Sequence, residues 1–387
     1  MKIAIINFGH VDVTLTLFKN LIKSSLNINL IFCFSLNRKS ESVLNFKDIS
    51  IRTGYTDYNK TKELLGPEIV NYLQDISTVR FFIFHNLKLR SLKNFFLAIK
   101  FAKSLKNYDI IHFNGTNGVL PILIFLLRKK KLIFTIHDIH SHSGEKTKLN
   151  FAERLNNYIA RSRFPLIVQN MSDFTYLLEK FPDNTTKFWF IPFGVLDVYR
   201  AFENSEIKTP ESDLLFFGRI SPYKGIEFLI EALKILKKKG YNYKTIIAGN
   251  GNVYFNTDDF NELNILLINR YIPNSELVSL IKNTKIVVCP YTDATQSGVA
   301  MTAFAFNKPV IATSVGSFPE VIEDGITGSL VKPREPEQLG EKIHLFLNKP
   351  DLLMEMESNI QAIQNEGNYS WSHIIYRVKN LYFLTFN

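Results

Sequence analysis

The chain has 387 residues, more than one hydrophobic core usually organises, and this length favours two domains of roughly 180–190 residues each. Hydrophobic residues make up 46% and charged residues 21%, which excludes a disordered or fibrous protein. The net charge of +10 favours an anionic partner such as a nucleotide, a lipid phosphate or a membrane surface. Nucleic acid would fit the same charge, but the sequence has no nucleic-acid-binding motif, so no such partner is expected.

Features of the sequence indicate where the protein resides. Cys33 and Cys289 lie in separate apolar runs, which predicts no disulfide and fits a reducing cytoplasm. Residues 1–7 read as the start of a strand rather than as a signal peptide. The apolar run 118–127 is about half the length that a spanning helix needs. We therefore expect a cytoplasmic protein, or one bound at the inner face of the cell membrane.

Short apolar runs alternate with helical patterns along the chain. Strands are predicted at 2–7, 28–34, 80–84, 109–113, 131–136, 165–169, 213–217, 244–248, 264–268, 285–289, 308–312 and 328–331. Helices are predicted at 89–106, 172–180, 224–239, 274–283, 298–306, 335–347, 350–366 and 370–384. This alternation is typical of an α/β protein with parallel sheets covered by helices on both faces.

The alternating pattern restarts near residue 213, after the polar stretch 203–212. It predicts two Rossmann-like, doubly wound domains, residues 1–200 and 211–369, facing each other across a cleft. Ligands of such sheets bind beyond the carboxyl ends of the strands, so the loops that follow the strands are the candidate sites.

The loop after the strand at 213–217 is the most informative. Gly218 permits a tight turn, and Arg219 and Lys224 place two cations between this strand and the next helix. These residue types favour a diphosphate-binding loop. The alternative is a solvated turn that carries two surface cations.

A second loop leads into the helix at 298–306. A helix start with free backbone N–H groups binds phosphate readily, so Gln296, Ser297, Gly298, Val299 and Thr302 are candidate ligand-binding residues. The alternative is ordinary capping of the helix by Ser297 or Thr295.

Single residues in two further loops complete the candidate donor site. Glu320 is an acidic residue beside the turn that begins at Gly316, and its alternative role is a first-turn carboxylate favoured by the helix dipole. Gly249 permits close approach of a ligand to the backbone, or serves only the turn in which it lies.

In the first half, candidate residues also follow strands. His137 and Asp138 follow the strand at 131–136, and Gly9, His10 and Asn114 follow two others. His137 is interpreted as a hydrogen-bonding partner of substrate, with a structural histidine as the alternative. The nearby His140 and His142 raise the possibility of zinc, but no second ligand cluster supports it, so no metal is expected. The sequence also lacks a nucleophile elbow and a dinucleotide-binding fingerprint.

Basic residues are concentrated at 88–106, among apolar residues, and at 128–131. Both segments suit peripheral contact with an acidic membrane or with a lipid diphosphate acceptor. A solvated helix face is the alternative interpretation.

The segment from Gly218 to Gly225, and the run 308–316 with the motifs at 319–322 and 324–328, resemble the GT-B glycosyltransferases of family four, the glycosyl transferases group 1. Weaker similarity extends over the first half, including 135–138. The resemblance implies that Arg219 and Lys224 bind the donor diphosphate and stabilise the leaving nucleotide, and that His137 meets the donor sugar. It also implies a retaining, metal-independent reaction and a closing helix at 370–387 that returns to the first domain.

The sequence departs from this family at one motif. The family usually carries two glutamates eight residues apart, and an ungapped match places them at Ala294 and Thr302. Asp293, Gln296 and Thr302 are the candidates to substitute for them.

The resulting hypothesis is a glycosyltransferase that moves a hexose or amino-sugar from a nucleoside-diphosphate sugar to a glycan or lipid-linked acceptor in bacterial surface polysaccharide biosynthesis. The alternatives are a nucleotide-sugar epimerase of GT-B architecture and a non-catalytic relative that binds glycan or a partner enzyme.

Overall fold

The computed structural model describes residues 1–88, 91–139, 151–204, 206–294 and 298–387. The strands are β1 (Lys2–Asn7), β2 (Asn27–Ser35), β3 (Ser40–Glu41), β4 (Leu44–Asn45), β5 (Gly54–Tyr55), β6 (Val79–Phe84), β7 (Ile110–Asn114), β8 (Lys131–Ile136), β9 (Leu166–Val168), β10 (Phe188–Phe190), β11 (Ser212–Phe217), β12 (Thr245–Gly249), β13 (Ile265–Asn269), β14 (Thr284–Cys289), β15 (Val310–Thr313) and β16 (Gly328–Val331). The helices are α1 (Val11–Ile22), α2 (Tyr58–Leu73), α3 (Leu92–Ser104), α4 (Leu120–Leu127), α5 (Phe151–Arg161), α6 (Met171–Lys180), α7 (Ile226–Lys238), α8 (Asn274–Lys282), α9 (Gly298–Ala305), α10 (Phe318–Val321), α11 (Pro336–Leu347), α12 (Pro350–Asn365) and α13 (Trp371–Phe386).

The first compact unit comprises the described residues up to Phe193 together with Trp371–Asn387. Its eight-stranded sheet has the order β10-β9-β8-β7-β1-β2-β6-β5, and its pairs are parallel except β5–β6. All five residues of β7 are buried, as expected for a strand covered on both faces. Helices α3, α4 and α5 bury their apolar sides against one face of this sheet, in a continuous core.

The second compact unit comprises the described residues from Gly194 to Ser370. Its six-stranded sheet is parallel throughout, with the order β13-β12-β11-β14-β15-β16. The central strand β11 is buried from Leu214 to Phe217. Two parallel sheets with interleaved helices confirm the predicted α/β class.

Some elements were not predicted. They are helices α1, α2, α4, α5 and α10 and strands β3, β4, β5 and β10. In α1 the run from Val11 to Leu17 alternates apolar with polar or β-branched residues, which favours a strand, yet this segment is helical and buries residues on several sides. Burial against neighbouring elements overrides the local preference there. In α2 the pair Gly66-Pro67 interrupts the helix with a kink.

The units change at Gly194, before the polar stretch 203–212 that the sequence suggested as a linker. The reason is that a short 3-10 helix at Asp197–Phe202 belongs to the second unit. Leu196 N donates to Met301 O (3.2 Å), and Arg200 Nε donates to Ala305 O (2.7 Å), so this segment is attached to α9.

Within the described ranges, no helix combines the length and the apolar character that crossing a bilayer requires. The apolar run 118–127 corresponds to α4 and the turn before it. Helix α4 packs into the core of the first unit through Leu120, Leu123, Ile124 and Leu127.

A buried histidine attaches α13 to the sheet of the first unit. His112, on β7, contacts Tyr382 Oη through Nδ1 (2.8 Å) and Thr135 Oγ1 through Nε2 (2.7 Å). Burial lowers the pKa of His112 to about 3, so the ring is neutral in the folded protein at neutral pH.

This histidine predicts a loss of stability in acid. An unfolded histidine has a pKa near 6.5, so it binds a proton as the pH falls below that value. In the folded protein His112 stays unprotonated down to about pH 3, so acid favours the unfolded chain. The free energy of unfolding therefore falls as the pH falls, and between pH 7 and pH 5.5 His112 alone accounts for about 1 kcal/mol. Urea titrations of the protein and of His112→Gln at both pH values test this. Equal pH dependence in the two proteins would contradict it.

Gly249 allows two strand ends of the second unit to approach closely. A Cβ atom at this position would lie 1.7 Å from the carbonyl oxygen of Gly218. Both groups belong to the backbone, so the clash is relieved only if β11 and β12 separate.

Gly249→Ala is therefore expected to lower the free energy of unfolding by about 1–3 kcal/mol, as overpacking does elsewhere. Gly340→Ala is the matched control, because Gly340 is also buried but a Cβ there would meet its nearest neighbour at an ordinary 3.5 Å. The control should be neutral or slightly stabilising, since alanine favours helix α11. Chemical denaturation of both variants measures the difference, and equal effects would show that the close approach is relieved at no cost.

Candidate active site

Each sheet has one point at which the strand order reverses, and ligands of open parallel sheets bind there, beyond the carboxyl ends of the strands. In the first unit this point lies between β1 and β7, and in the second it lies between β11 and β14. Most of the loops singled out from the sequence follow these four strands.

The loop after β11 has the backbone that its glycines permit. Gly218 has φ 130° and Gly225 has φ 63°, both in the region that favours glycine. Between them Pro222–Lys224 form one 3-10 turn, which leads into α7. A Cβ on Gly225 would lie 2.0 Å from Pro290 O, so this glycine is required for the close approach of the loop after β14.

Hydrogen bonds also join these two loops. Thr292 donates to Tyr223 O through its backbone N (2.9 Å) and its Oγ1 (3.3 Å). At the end of β15, Thr313 Oγ1 donates to Tyr291 O (2.6 Å) and holds the loop after β14 from its other side. Tyr291 is buried and packs edge-on against Phe318, with 5.2 Å between ring centroids. The switch point of the second unit is thus a braced pair of loops.

Lys224 lies at this switch point among aromatic rings. Its Nζ is 3.8 Å from the ring centroid of Tyr291 and 5.0 Å from that of Tyr223. In the described part of the chain no carboxylate pairs with this ammonium. Burial, with a smaller contribution from the nearby charge of Arg219, lowers the pKa of Lys224 to about 8. The side chain is a half-buried cation that a bound anion would stabilise.

A pocket of about 820 Å³ opens beside this loop, at the ends of β11, β12 and β13. Gly218, Arg219 and Gly249 line it, as predicted candidates, and so do Tyr254 and Arg270. Its volume is in the range of small-molecule sites. Asn269 braces the lining through reciprocal hydrogen bonds of its amide with Gly251 N (3.2 Å) and Gly251 O (3.1 Å).

The start of α9 lies next to Gly218. A Cβ on Gly218 would be 4.0 Å from Val299 Cγ2, and Gly298 is exposed at the helix start. Thr302 is buried, and its Oγ1 donates to Gly298 O (2.7 Å), so its hydroxyl proton stays within the helix. Gln296 and Ser297 lie outside the described residues, as does Thr295.

Glu320 lies in the short helix α10 and is half-buried. Burial raises the pKa of Tyr369, and the charge of Glu320 raises it further, which places the carboxylate near that tyrosine. Glu320 is not among the residues that line the 820 Å³ pocket.

The first unit has a smaller depression, of about 190 Å³, at its own switch point. Gly9, His10, His137 and Asp138 line it, together with Gly115. The rings of His10 and His137 stack, with centroids 3.9 Å apart. His10 is exposed and has a left-handed backbone (φ 53°), a conformation unusual for a residue other than glycine.

A buried hydrogen-bond network holds the ring of His137 in place. Thr14 Oγ1 accepts from Asn7 Nδ2 (2.5 Å) and Asn114 Nδ2 (2.8 Å) and donates to His10 O (3.0 Å). Because the Asn114 amide nitrogen donates to Thr14, its Oδ1 accepts from His137 Nε2 (2.7 Å). Asn114 therefore does not line the depression but sets the tautomer of the histidine that does.

This environment keeps His137 uncharged. Burial lowers its pKa well below the usual value, and neighbouring His10 lowers it further. A neutral ring whose Nε2 is already engaged suits packing and orientation better than proton transfer through that nitrogen.

The zinc alternative rested on His137, His140 and His142, and the last two lie outside the described residues. Within the ranges the structure does describe, three potential metal ligands do not cluster. The expectation that the protein binds no metal therefore stays a prediction.

Several residues of these sites carried no role in the sequence interpretation. Gly225 and Tyr291 lie in the two loops that the sequence marked as candidate sites. A glycine directly after Lys224 and an aromatic residue shortly after a strand were the sequence signals that could have identified them. Thr14 was not accessible, because its partners Asn7 and Asn114 come from distant parts of the chain.

Comparisons with known proteins agree with this architecture. Residues 198–362 match the family model described as glycosyl transferases group 1. An uncharacterized glycosyltransferase, MJ1178, of Methanocaldococcus jannaschii is 31% identical over 186 residues, which cover 46% of this chain and 51% of the relative. The capsular polysaccharide biosynthesis glycosyltransferase CapM of Staphylococcus aureus is 30% identical over 143 residues, 35% of this chain and 37% of the relative. The match thus spans about half or less of these curated relatives.

Solved structures resemble the chain over nearly its whole length. Anabaena Alr3699/HepE, solved in complex with UDP, superposes with a TM-score of 0.64 at 16% identity and covers 99% of this chain and 100% of its own. The same protein in complex with UDP-glucose gives a TM-score of 0.63. At this identity the likeness establishes the fold. The chain has the GT-B fold, and its residues 198–362 match the glycosyl transferases group 1 family.

Proposed function

We propose that the protein is a retaining glycosyltransferase that transfers a hexose or N-acetylhexosamine from a nucleoside-diphosphate sugar to a glycan or lipid-linked acceptor in the biosynthesis of a bacterial surface polysaccharide. The observation that carries this proposal is the half-buried ammonium of Lys224, near Arg219, at the switch point of the second unit. A diphosphate is the anion that this pair of cations fits.

The arrangement suits the chemical demand of the reaction. When the bond from the sugar to the diphosphate breaks, negative charge grows on the departing nucleoside diphosphate. Arg219 and Lys224 would stabilise that charge from a braced loop, so little reorganisation is needed as it forms. The two tyrosine rings next to Lys224 keep water away from one side of the ammonium, which strengthens its interaction with phosphate oxygens.

The 820 Å³ pocket would hold the nucleoside of the donor. Arg219 connects this pocket with the diphosphate position, and Tyr254 and Tyr271 supply aromatic surface for a base. UDP and UDP-glucose are bound by the structural relative HepE, which supports a nucleotide-sugar donor here. Of the predicted residues whose contacts the structure describes, Gly218, Gly249, Gly298 and Val299 would contribute backbone or apolar contacts.

The proposed donor site lacks the two glutamates that the family usually carries, at the positions of Ala294 and Thr302. Thr302 Oγ1 donates its proton to Gly298 O, so this neutral hydroxyl can accept a hydrogen bond but supplies no negative charge. The side chain of Ala294 is apolar, so neither residue replaces the charge of a carboxylate. Asp293, Gln296 and Ser297 stay candidates for contacts with ribose and sugar, and Glu320 for a contact near α10.

We propose that the depression of the first unit receives the sugar and the acceptor hydroxyl. His10, Gly9 and Asp138 would contact the acceptor side, and neutral His137 would orient the sugar. Reaction without a divalent metal follows from this proposal, since the two cations supply the positive charge that a metal provides elsewhere. The relative CapM is named a capsular polysaccharide biosynthesis glycosyltransferase, which supports a surface polysaccharide as the product, and the acceptor would be a glycan or a lipid-linked sugar.

Arg219→Ala and Lys224→Ala should each reduce turnover at least tenfold, because a charge-assisted contact is worth about 1.5–3 kcal/mol. The measurement is release of nucleoside diphosphate from nucleotide-sugars in the presence of acceptor. Lys237→Ala, an exposed lysine on α7 of the same unit, is the control and should keep full activity.

Three outcomes separate the proposal from its alternatives. Unchanged turnover in both cation variants would defeat the assignment of the diphosphate site. Conversion of the nucleotide-sugar without acceptor would indicate an epimerase. Nucleotide binding without release of nucleoside diphosphate would indicate a non-catalytic relative.

The affinity for nucleoside diphosphate should fall as the pH rises from 7 to 9. With a pKa of about 8, free Lys224 loses its proton across this range, so affinity drops about tenfold. Lys224→Arg keeps its charge and should remove this dependence, as isothermal titration calorimetry at pH 7, 8 and 9 would show. A drop of the same size in Lys224→Arg would mean that another group titrates.

A further inference from the structure

We propose that a groove between α4 and α5 of the first unit binds an anionic phospholipid and holds the protein on an acidic bilayer. The groove has a volume of about 650 Å³ and lies outside the two switch points. The proposal concerns a surface of one unit and does not depend on the transferase activity.

The floor of the groove is apolar. Ile124 on α4 and Leu155 on α5 are buried in the core and present their outer atoms to the groove. Phe125 and Tyr158 stand beside them and are 64% and 58% exposed. Two large aromatic residues at this exposure, on neighbouring helices, form an apolar surface that an acyl chain would cover.

One end of the groove is cationic. Arg128 and Lys129 follow the end of α4, and Arg163 follows the end of α5. Arg163 Nη2 donates to Arg128 O (2.7 Å), so the ends of the two helices are fixed together. Arg128 lies over the Phe125 ring, with 4.5 Å from Cζ to the centroid, and its long side chain therefore covers apolar surface while its charge faces solvent.

Charge complementarity selects the occupant. The sequence 118–137 contains four cations, at 128–131, and no acidic residue. A fixed cationic end beside an apolar floor matches the phosphate and the acyl chain of an anionic lipid. A simple helix-capping role would explain cations after α4 but not exposed Phe125 and Tyr158 on the groove walls.

Helix α3, on the same face of the sheet, carries further exposed apolar residues outside the groove. Leu92 and Phe96 are 80% and 70% exposed near its start, and Lys93 lies between them in the sequence. Helices α3, α4 and α5 thus form one helical layer, in which the groove of α4 and α5 combines an apolar floor with the cations that follow α4.

Co-sedimentation with vesicles tests the proposal. The full chain should bind vesicles that contain phosphatidylglycerol and bind phosphatidylcholine vesicles much more weakly. Arg128→Ala with Lys129→Ala should weaken binding about fivefold for each cation removed. Phe125→Ser with Tyr158→Ser should weaken binding to the same vesicles while leaving the charge unchanged, and it serves as the second variant should the first fail to fold.

The matched controls come from the second unit. Lys237→Ala with Lys238→Ala removes two exposed cations, and Met354→Ser removes a side chain that is 60% exposed. Unaltered binding in these controls supports the groove. The proposal would be overturned if the unmodified chain did not bind vesicles, or if both groove variants bound them as tightly as the unmodified chain does. Binding of inorganic phosphate with no affinity for vesicles would also overturn it.

Discussion

The half-buried ammonium of Lys224 is the feature on which the proposed donor site depends. Taking a lysine partly out of water costs free energy, and burial lowers the pKa of Lys224 to about 8 for this reason. Within the described residues, no carboxylate pairs with its ammonium. The aromatic faces of Tyr223 and Tyr291 offset part of it. An anion that binds at this switch point would stabilise the ammonium, because the ligand supplies the negative charge that partners it.

The surrounding backbone explains how this cation is positioned. Gly225 admits the close approach of Pro290, and Thr292 donates to Tyr223, so the loop after β11 is held against residues 290–292 that follow β14. In the first unit a hydrogen-bond network positions the polar side chains. Thr14 accepts from the side-chain amides of Asn7 on β1 and Asn114 on β7, and Asn114 in turn orients His137. In both units, the positions of polar side chains are set by short-range packing between neighbouring strand ends.

Much of this could be predicted from the sequence because it is periodic or local. Buried parallel strands are apolar runs, and Gly218, Arg219 and Lys224 lie within one turn of chain, so both the α/β class and the candidate diphosphate loop were accessible. Helix α1 was not, since its β-branched alternation is overridden by burial. The bond from Asn114 to His137 was also inaccessible, because their relation depends on the register of β7 against β8. The ligand-binding role of α9 stays a prediction, and the bond from Thr302 Oγ1 into its own helix was not foreseen because it depends on the side-chain rotamer.

The titration of Lys224 itself tests the central claim most directly. In protein labelled with carbon-13 at lysine, the Cε resonance of Lys224, assigned through Lys224→Arg, reports its protonation state. The account predicts a pKa of about 8 in the free protein and a rise of at least one unit at saturating nucleoside diphosphate. A pKa that nucleoside diphosphate leaves unchanged would show that this ammonium does not bind the donor.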